Sequence, residues 1–577
     1  QAPVADILFT LQTVAGLEAL QALPGYADAN AETVEAILDA AGKLAGEVLA
    51  PLNTVGDRER LRFENGVVTT PPGFKDAYRQ FAEGGWNAIA FDPEYGGQGM
   101  PWVLTSALQE MWNSANMAFA LCPLLTQGAI EALQLHGTPE QKSTYLPKMI
   151  AGTWSGTMNL TEPQAGSDLG AIRTTATPAG DGSYRVKGQK IFITYGEHDW
   201  TENIVHFVLA RLPDAPAGSK GISLFIVPKF LPKSDGTPGK RNDLRCVSIE
   251  HKLGIHASPT CVMAYGDNEG ATGFIVGAPH RGLEYMFTMM NNARLAVGIQ
   301  GLSIAERAYQ HAVAYARERV QGGKNAIIVH PDVRRMLLTM RGLTQGMRCL
   351  VLYAAGALDR AKRHPDAAER AKYQALTDLL IPIVKAWCTD RGVEVASLGI
   401  QVHGGVGFIE ETGAAQHYRD ARIAPIYEGT NGIQAIDLVG RKVRMADGAV
   451  MRGLCAEMAL TADLLTETAD LASVGKRLAT GVAALERATD WILANGGAAS
   501  LSGATPYLKL AGDVIGGWIL GRQALAAAGS DDPWLKSKAA LARIYASQVL
   551  AQASGLADGL TEGAQDLAAT PASALAG

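Results

Sequence analysis

A single carboxylate in an apolar stretch is the residue of this sequence best suited to chemistry. Glu428 lies in IAPIYEGTNGIQAIDL, between Tyr427 and Gly429, with aliphatic residues on both sides. A carboxylate in such surroundings costs free energy unless it is paired, hydrogen-bonded or partly protonated. Because a partly protonated carboxylate can exchange a proton with a bound substrate, Glu428 is a candidate for proton-transfer chemistry. Taken alone, Tyr-Glu-Gly-Thr is more often a capped turn.

The elements that must position Glu428 change in character along the chain. Residues 1–155 have apolar residues at a spacing of three and four, which predicts helices. Short β-rich runs such as YRVKGQKIFIT and GISLFIVPKF, separated by turn residues, predict a β-domain over 156–280. The helical pattern returns over 281–445, and an Ala- and Leu-rich helical region follows over 446–577. We therefore predict four domains in a multi-domain α+β fold.

Composition excludes several classes of protein. The 577 residues are 47% hydrophobic and 19% charged, with a net charge of -6, which is typical of a soluble globular protein and opposes nucleic-acid binding. The sequence has no uncharged apolar run of the length that a membrane helix needs, and its first residues resemble neither an export signal nor an organelle signal. The six cysteines show no CxxC spacing, so we expect no metal site and a reducing, cytoplasmic location.

Several motifs occur together in an informative order. They are GWNAIAFDPEYGGQGMP, HGTPEQKSTYLPKMIAG, NLTEPQAGSD at the start of the β-domain, QVHGGVGFIEE and IYEGTNGIQ. Over about residues 35–445 this order resembles the acyl-CoA dehydrogenase family. The resemblance implies an N-terminal helical domain, a middle β-barrel and a C-terminal four-helix bundle, to which this chain adds a further helical domain. HGGVGF alone predicts only a tight turn, and His403 alone is more often structural than a ligand.

The family resemblance implies an FAD-dependent removal of two hydrogens from an acyl-CoA thioester. Such a reaction needs a base for the α proton and a flavin for the β hydride. Glu428 matches the base of the family, and Gly429 would let the substrate approach the backbone closely. Some relatives carry the base at a position that aligns with Ala293, and alanine cannot serve. By resemblance, the backbone N–H of Glu428 and a flavin ribityl hydroxyl bind the thioester oxygen.

The resemblance also assigns binding residues, by position in the motifs. The residues matched to FAD contacts are Thr161, Phe192, Thr194, Arg319, Gln401, Gly404, Gly405, Thr430 and Asn431. Those matched to substrate contacts are Ser167, Met286, Met290, Arg294, Tyr427 and Gly429. Arg319, Gln401 and the two glycines match positions that reach the FAD of a second subunit, which implies a homodimer or a dimer of dimers. The chain departs from the family at Gly322, often an aromatic residue, and at Gly432, often a glutamine.

A closer resemblance concerns the substrate. HKLGIHASPTCVMAYG, RGLEYMFTMMNNARLAVG and ARERVQG resemble the bacterial 3-methylmercaptopropionyl-CoA dehydrogenases of dimethylsulfoniopropionate breakdown. Thioether side chains such as Met286 and Met290 suit a short sulfur-containing acyl chain, although ordinary core methionines are an equal alternative. Residues 122–133 are expected to supply the opposite wall of the acyl pocket.

The function therefore has several candidates. The main prediction is dehydrogenation of 3-methylmercaptopropionyl-CoA with an electron-transfer flavoprotein as acceptor. The alternatives are a generic short- or medium-chain acyl-CoA dehydrogenase and an acyl-CoA oxidase. A DNA-binding flavoprotein is disfavoured, because residues 445–577 contain nine Lys and Arg against thirteen Asp and Glu.

Overall fold

A computed structural model describes residues 1–576 of the chain. By its contacts the chain divides into two compact units. Unit 1 contains Ala40–Met100 and Met111–Ala296 with the first two residues, and unit 2 contains Pro3–Asp39, Pro101–Glu110 and the residues from Val297 onward. The boundaries of these two units differ from those of the four predicted domains, whose bounds stay a prediction.

The N-terminal part of the chain is helical, as predicted. Its helices are α1 Val4–Thr10, α2 Leu17–Gln21, α3 Ala31–Leu44, α4 Ala50–Glu59, α5 Phe74–Glu83, α6 Trp102–His136 and α7 Pro139–Ile150, with a short hairpin of β1 Arg62–Glu64 and β2 Val67–Thr69. Helix α7 shows how the sequence fixes a helix start. Thr138 caps it by accepting a hydrogen bond from the Gln141 N–H at 3.2 Å, and Pro139 occupies the first turn, where no N–H is needed.

The middle of unit 1 is a β-barrel. Its strands are β3 Trp154–Asn159, β4 Thr175–Pro178, β5 Tyr184–Thr194, β6 Asn203–Arg211, β7 Ile222–Pro228, β8 Phe230–Pro232, β9 Pro238–Arg241, β10 Leu244–Ile249, β11 Thr260–Tyr265 and β12 Ala271–Val276. The main sheet has the order β10-β11-β5-β12-β7-β6-β3, and β4 pairs with both β5 and β6. This pairing closes β4, β5, β12, β7 and β6 into a ring, which confirms the predicted barrel. Side chains including Val186, Val208 and Phe225 fill a buried core.

Long helices dominate the rest of the chain. They are α8 Gly282–Glu318, α9 Pro331–Arg363, α10 Ala367–His403, α11 Ala414–Ala421, α12 Asn431–Asp437, α13 Ala449–Glu467, α14 Ala472–Ala494, α15 Gly497–Ser502, α16 Ala504–Ala526, α17 Pro533–Gln548 and α18 Ala553–Ala569. In unit 2, α8 and α10 approach closely at two glycines, Gly301 of α8 and Gly392 of α10. A Cβ on Gly301 would lie 2.3 Å from the Cys388 carbonyl oxygen, so only glycine allows this distance between the backbones.

The last helices pack against the bundle within unit 2. Trp387 of α10 donates a hydrogen bond from Nε1 to Oδ1 of Asp513 in α16 at 2.8 Å, and both residues are buried. A Cβ on Gly512 would lie 2.3 Å from the Trp387 ring. The additional C-terminal helices therefore share a buried core with α10.

Within residues 1–576, one helix has the length and composition of a membrane span. It is Trp102–His136, and 83% of its most apolar window is buried inside the protein. Since a buried core helix gives the same signal, this helix is weak evidence for a membrane span.

Candidate active site

Glu428 is presented by a tight loop between α11 and α12 in unit 2. Its φ is 56° and that of Gly429 is 84°, so two successive residues adopt the left-handed conformation. For a residue with a side chain this conformation costs about 1–3 kcal/mol and persists only where the surroundings enforce it. The Asn431 N–H donates to the Pro425 carbonyl at 3.0 Å and closes the loop. Thr430 then caps α12, accepting from the Ile433 N–H at 3.2 Å.

Tyr427 fixes the loop on the other side of Glu428. Its hydroxyl donates to Oε1 of Gln300, a fully buried residue of α8. Burial raises the pKa of Tyr427, and the negative charge of Glu428 raises it further. Tyr427 therefore remains a neutral phenol at neutral pH and holds the backbone next to Glu428.

Asn431 makes its side-chain contacts inside unit 2. Its Oδ1 accepts from Lys385 Nζ at 2.8 Å, and its Nδ2 donates to Oδ1 of Asp390 at 2.8 Å and to Oγ1 of Thr389 at 2.9 Å. Lys385, Thr389 and Asp390 were not among the predicted site residues. The contact of Asn431 with FAD stays a prediction. In the structure its side chain is hydrogen-bonded to three residues of α10.

The other predicted FAD residues of unit 2 are exposed. Arg319 directly follows α8, Gln401 lies in the last turn of α10, and Gly404 ends α10 with a φ of 63°. Gly405 and Thr430 are exposed as well. Their guanidinium, amide, hydroxyl and backbone N–H groups are accessible to a ligand.

A cluster of rings lies under the Gly404 turn. His403, a buried residue, stacks on Tyr315 with ring centroids 4.5 Å apart and meets His311 at 4.6 Å. Nδ1 of His311 is 3.2 Å from Nε2 of His417. Burial, together with the neighbouring His403 and Arg307, lowers the pKa of His311 to about 4, so the His311 ring is neutral at neutral pH. Nδ1 of His403 also lies 2.7 Å from the Gly399 carbonyl oxygen, and the structural role of this residue stays a prediction.

The predicted flavin-ring residues of unit 1 lie at the end of β5 and in the loop that follows β3. Phe192 has a φ of 60° and 59% of its surface is exposed. Two residues on, the Thr194 carbonyl accepts from Oγ1 of Thr157 at 2.6 Å. The Thr161 carbonyl accepts from the Ile191 N–H at 2.9 Å, which ties its loop to the same strand. Thr161, Phe192 and Thr194 are therefore brought together, and the exposed ring suits a planar apolar ligand such as a flavin.

A buried ion pair supports the Thr161 loop. Lys190, which is fully buried, donates from Nζ to Oε1 of Glu162 at 2.8 Å and to the Leu160 carbonyl at 2.9 Å. Glu162 also accepts from Oγ1 of Thr174 at 2.6 Å. Burial by itself would raise the pKa of Glu162, but the Lys190 ammonium and these hydrogen bonds outweigh it and lower that pKa to about 2. This pair fixes the start of the NLTEPQAGSD motif, whereas Ser167 at its other end is exposed.

The predicted acyl-pocket residues of unit 1 lie on α8 facing α6. Met286 and Met289 are fully buried and Met290 is partly exposed. A Cβ on Gly128 of α6 would lie 3.0 Å from Cγ of Met289, so residues 122–133 do face this methionine cluster. Arg294 is buried near the Phe287 ring, with its guanidinium carbon 5.9 Å from the ring centroid.

Comparison with known proteins identifies the family. Four family models match the chain: the acyl-CoA dehydrogenase N-terminal domain over residues 31–153, the middle domain over 157–268, the C-terminal domain over 280–444, and an acetyl-CoA dehydrogenase C-terminal-like domain over 454–571. The chain belongs to the acyl-CoA dehydrogenase family. It is therefore an FAD-dependent dehydrogenase, and the exposed Phe192 ring and the exposed groups around Gly404 fit that cofactor.

Relatives of the same length are found within the family. The chain is 51% identical over 571 residues to the 3-methylmercaptopropionyl-CoA dehydrogenase of Ruegeria pomeroyi, covering 96% of each chain. It is 34% identical to a butyryl-CoA dehydrogenase of Syntrophomonas wolfei, covering 95% of each. The structure of a Bacillus anthracis acyl-CoA dehydrogenase complexed with FAD shares the fold, with a TM-score of 0.73 at 21% identity over 94% of this chain and 90% of that one.

Proposed function

We propose that this enzyme converts 3-methylmercaptopropionyl-CoA to methylthioacryloyl-CoA, with Glu428 as the base that removes the α proton. The observation that carries the substrate assignment is the 51% identity, over 96% of both chains, to an enzyme of that name. Bound FAD supplies the acceptor for the β hydride. The position of Glu428 in a strained, hydrogen-bonded loop supports its role, because such strain concentrates at functional sites.

The residues around Glu428 orient the substrate in this proposal. The Glu428 backbone N–H binds the thioester oxygen and stabilises the charge that develops as the proton leaves. Gly429 leaves room for the thioester beside the backbone. The hydrogen bond from Tyr427 to Gln300 holds the neighbouring Glu428 carboxylate in position. Met286, Met290 and Arg294 line the acyl side, and Ser167 contacts the CoA arm.

The proposal extends to the cofactor and the assembly. Thr161, Phe192 and Thr194 hold the flavin ring, and Thr430 and Asn431 also contact the cofactor. Arg319, Gln401, Gly404 and Gly405 bind the FAD of a second copy, so the enzyme works as a homodimer or a dimer of dimers in the cytoplasm. An electron-transfer flavoprotein takes the electrons.

A substrate titration tests the proposed activity. The FAD-bound enzyme is mixed anaerobically with 3-methylmercaptopropionyl-CoA, butyryl-CoA or octanoyl-CoA while flavin absorbance is recorded. We expect the methylthio substrate to bleach the flavin fastest. Faster bleaching by butyryl-CoA would instead support the second candidate, a short-chain acyl-CoA dehydrogenase, which the 34% identical butyryl-CoA dehydrogenase favours. Formation of hydrogen peroxide in air, at the same rate as the substrate is consumed, would instead indicate an acyl-CoA oxidase.

A further inference from the structure

Helix α10 buries a lysine against the loop that carries Glu428. Lys385 lies in the apolar run LLIPIVKAW and is fully buried. Burying an ammonium group is unfavourable unless it is well paired. Its Nζ donates to Oδ1 of Asn431 at 2.8 Å, and Asn431 is the third residue after Glu428. The Lys385 ammonium is thus hydrogen-bonded to the start of α12, at the end of the loop that carries Glu428, which we call the base loop.

The amide of Asn431 joins this ammonium to a carboxylate. Its Nδ2 donates to Oδ1 of Asp390 at 2.8 Å, and Thr389 Oγ1 lies 2.9 Å from the same nitrogen. All three partners are on α10: Lys385 lies about one turn before Thr389 and Asp390, which are adjacent. With a cation on its oxygen and an anion on its nitrogen, the amide is held in one orientation, because the reversed amide would face each charge with the wrong group.

The base loop depends on this anchor because its backbone is strained. The left-handed φ of Glu428 persists only if the flanking residues are held. Before Glu428 the loop is held by Tyr427 on Gln300. After it, Asn431 holds the loop twice, through its N–H to Pro425 and through its side chain to α10. A shift of Asn431 would therefore move the Glu428 carboxylate.

We propose that Lys385, Asn431 and Asp390 act as positioning residues for the proton abstraction by Glu428. They do not touch the substrate in this account; they fix where the carboxylate of Glu428 stands. The inference rests on the proposed role of Glu428 as the base. In this proposal Asn431 positions Glu428 through its hydrogen bonds to α10.

Variants of α10 test the proposal. Lys385→Met keeps an unbranched apolar stem and removes the terminal ammonium, and Lys385→Gln restores an uncharged N–H donor group. Thr389→Val removes a hydroxyl that contacts Asn431. Its matched control is Thr377→Val on the same helix, since the Thr377 hydroxyl is likewise bonded to the carbonyl four residues earlier and is buried. The readouts are FAD content, KM, and the anaerobic rate of flavin bleaching by 3-methylmercaptopropionyl-CoA from pH 6 to 9.

We expect Lys385→Met to bleach about 10- to 100-fold more slowly, the loss that a small misplacement of a catalytic group produces. FAD content and KM stay near the wild-type values, the pH midpoint of the bleaching rate shifts, and Lys385→Gln recovers part of the rate. Thr389→Val shows a smaller loss, and Thr377→Val shows none.

Two results would overturn the proposal. One is a wild-type bleaching rate and pH midpoint in both Lys385→Met and Asn431→Ala. The other is a loss of FAD without a loss of rate per bound flavin. If Lys385→Met does not fold, Thr389→Val and Asn431→Ala decide by the same readouts. Glu428→Gln is measured alongside: turnover in that variant would refute the proposed base, whereas an inactive Glu428→Gln with a fast Lys385→Met would refute only the positioning role.

Discussion

Phe192 combines two features that seldom occur together, a left-handed backbone and a largely exposed aromatic ring. The ring is 59% exposed, and an aromatic side chain on a strand normally packs into the core. Its φ of 60° falls near the end of β5, directly after Ile191, whose N–H donates to the Thr161 carbonyl. Strain and exposure together are best explained by a ligand that covers the ring, which is the role proposed for the flavin.

We expect Phe192→Ala to weaken FAD binding by up to about tenfold, since aromatic pairs contribute about 0.5–1.5 kcal/mol. Phe192→Trp should retain binding because it keeps a ring at this position. Fluorescence titration of the apoenzyme with FAD measures the change. Leu135→Ala, at a comparably exposed residue of α6 in the same unit, serves as the control. Equal affinity of Phe192→Ala and Leu135→Ala would contradict the stacking role.

Among the residues, Glu428 could be singled out from the sequence and Lys385 was not, although one rule applies to both. Each is a lone charge in an apolar run, and such a charge requires a partner or a function. The partner of Lys385 lies on another element, 46 residues later in the chain. Sequence periodicity does not report contacts of this kind.

At the scale of elements, the β-domain depends on how the loop after β3 is attached to β5. The Glu162–Lys190 pair makes that attachment inside the protein, and Glu162 accepts additional hydrogen bonds from the backbone N–H groups of Arg173 and Thr174. Removing one member of a buried pair leaves the other charge without compensation. The conformation of the loop that carries Thr161 and Ser167 therefore follows from this pair.

The pKa of Glu162 makes this attachment sensitive to acid. That pKa is about 2 in the folded protein and 4.5 when unperturbed. The folded state binds the Glu162 proton more weakly than the unfolded state, so the Glu162 carboxylate stabilises folding fully above pH 4.5, and this contribution is lost as the pH falls from 4.5 toward 2. Burial lowers the pKa of Lys190 to about 8, so the ion pair is complete only below about that pH. Glu162→Gln should thus lower the melting temperature at pH 7, and its difference from the wild type should shrink below pH 4.5. Glu64→Gln, at an exposed residue of β1, is the control, and a pH-independent difference would refute the assignment.

The strands of the β-domain could be predicted from the sequence because turn residues separate segments of clear β composition. The closure of the ring could not, since β4 pairs with β6 at a single position, Thr175 with Arg211. The family resemblance supplied that closure.

At the scale of the whole molecule, the first residues of the chain join the last ones. In unit 2, Lys538 of α17 is paired with Asp6 of α1, and its Nζ lies 4.4 Å from the centroid of the Trp534 ring. Gln523 of α16 donates to Oγ1 of Thr10 at 2.8 Å. Residues 3–39 therefore help to hold the additional C-terminal helices. The sequence predicted helices at both ends, but no local pattern relates residues more than 500 positions apart.

We expect Lys538→Met to destabilise unit 2 by about 1–3 kcal/mol, because it removes one partner of the mostly buried Asp6, which keeps a longer ion pair with Arg341 at 3.8 Å. Lys536→Met, two residues earlier on the same helix, removes an exposed pair with Asp531 and should cost at most about 1 kcal/mol. Urea unfolding followed by tryptophan fluorescence, with limited proteolysis of residues 1–39, compares the two. Equal unfolding midpoints would show that the two ends of the chain are not energetically coupled.

The central claim is that Glu428 removes the α proton of a methylthio-acyl thioester. The most direct measurement is anaerobic flavin bleaching by 3-methylmercaptopropionyl-CoA in the wild type and in Glu428→Gln, at matched FAD content. We expect the wild-type flavin to bleach within the time of one turnover. In Glu428→Gln we expect a ligand-induced shift of the flavin spectrum without bleaching, since the isosteric amide leaves the loop intact and cannot take the proton. Bleaching of Glu428→Gln at the wild-type rate would exclude Glu428 as the base.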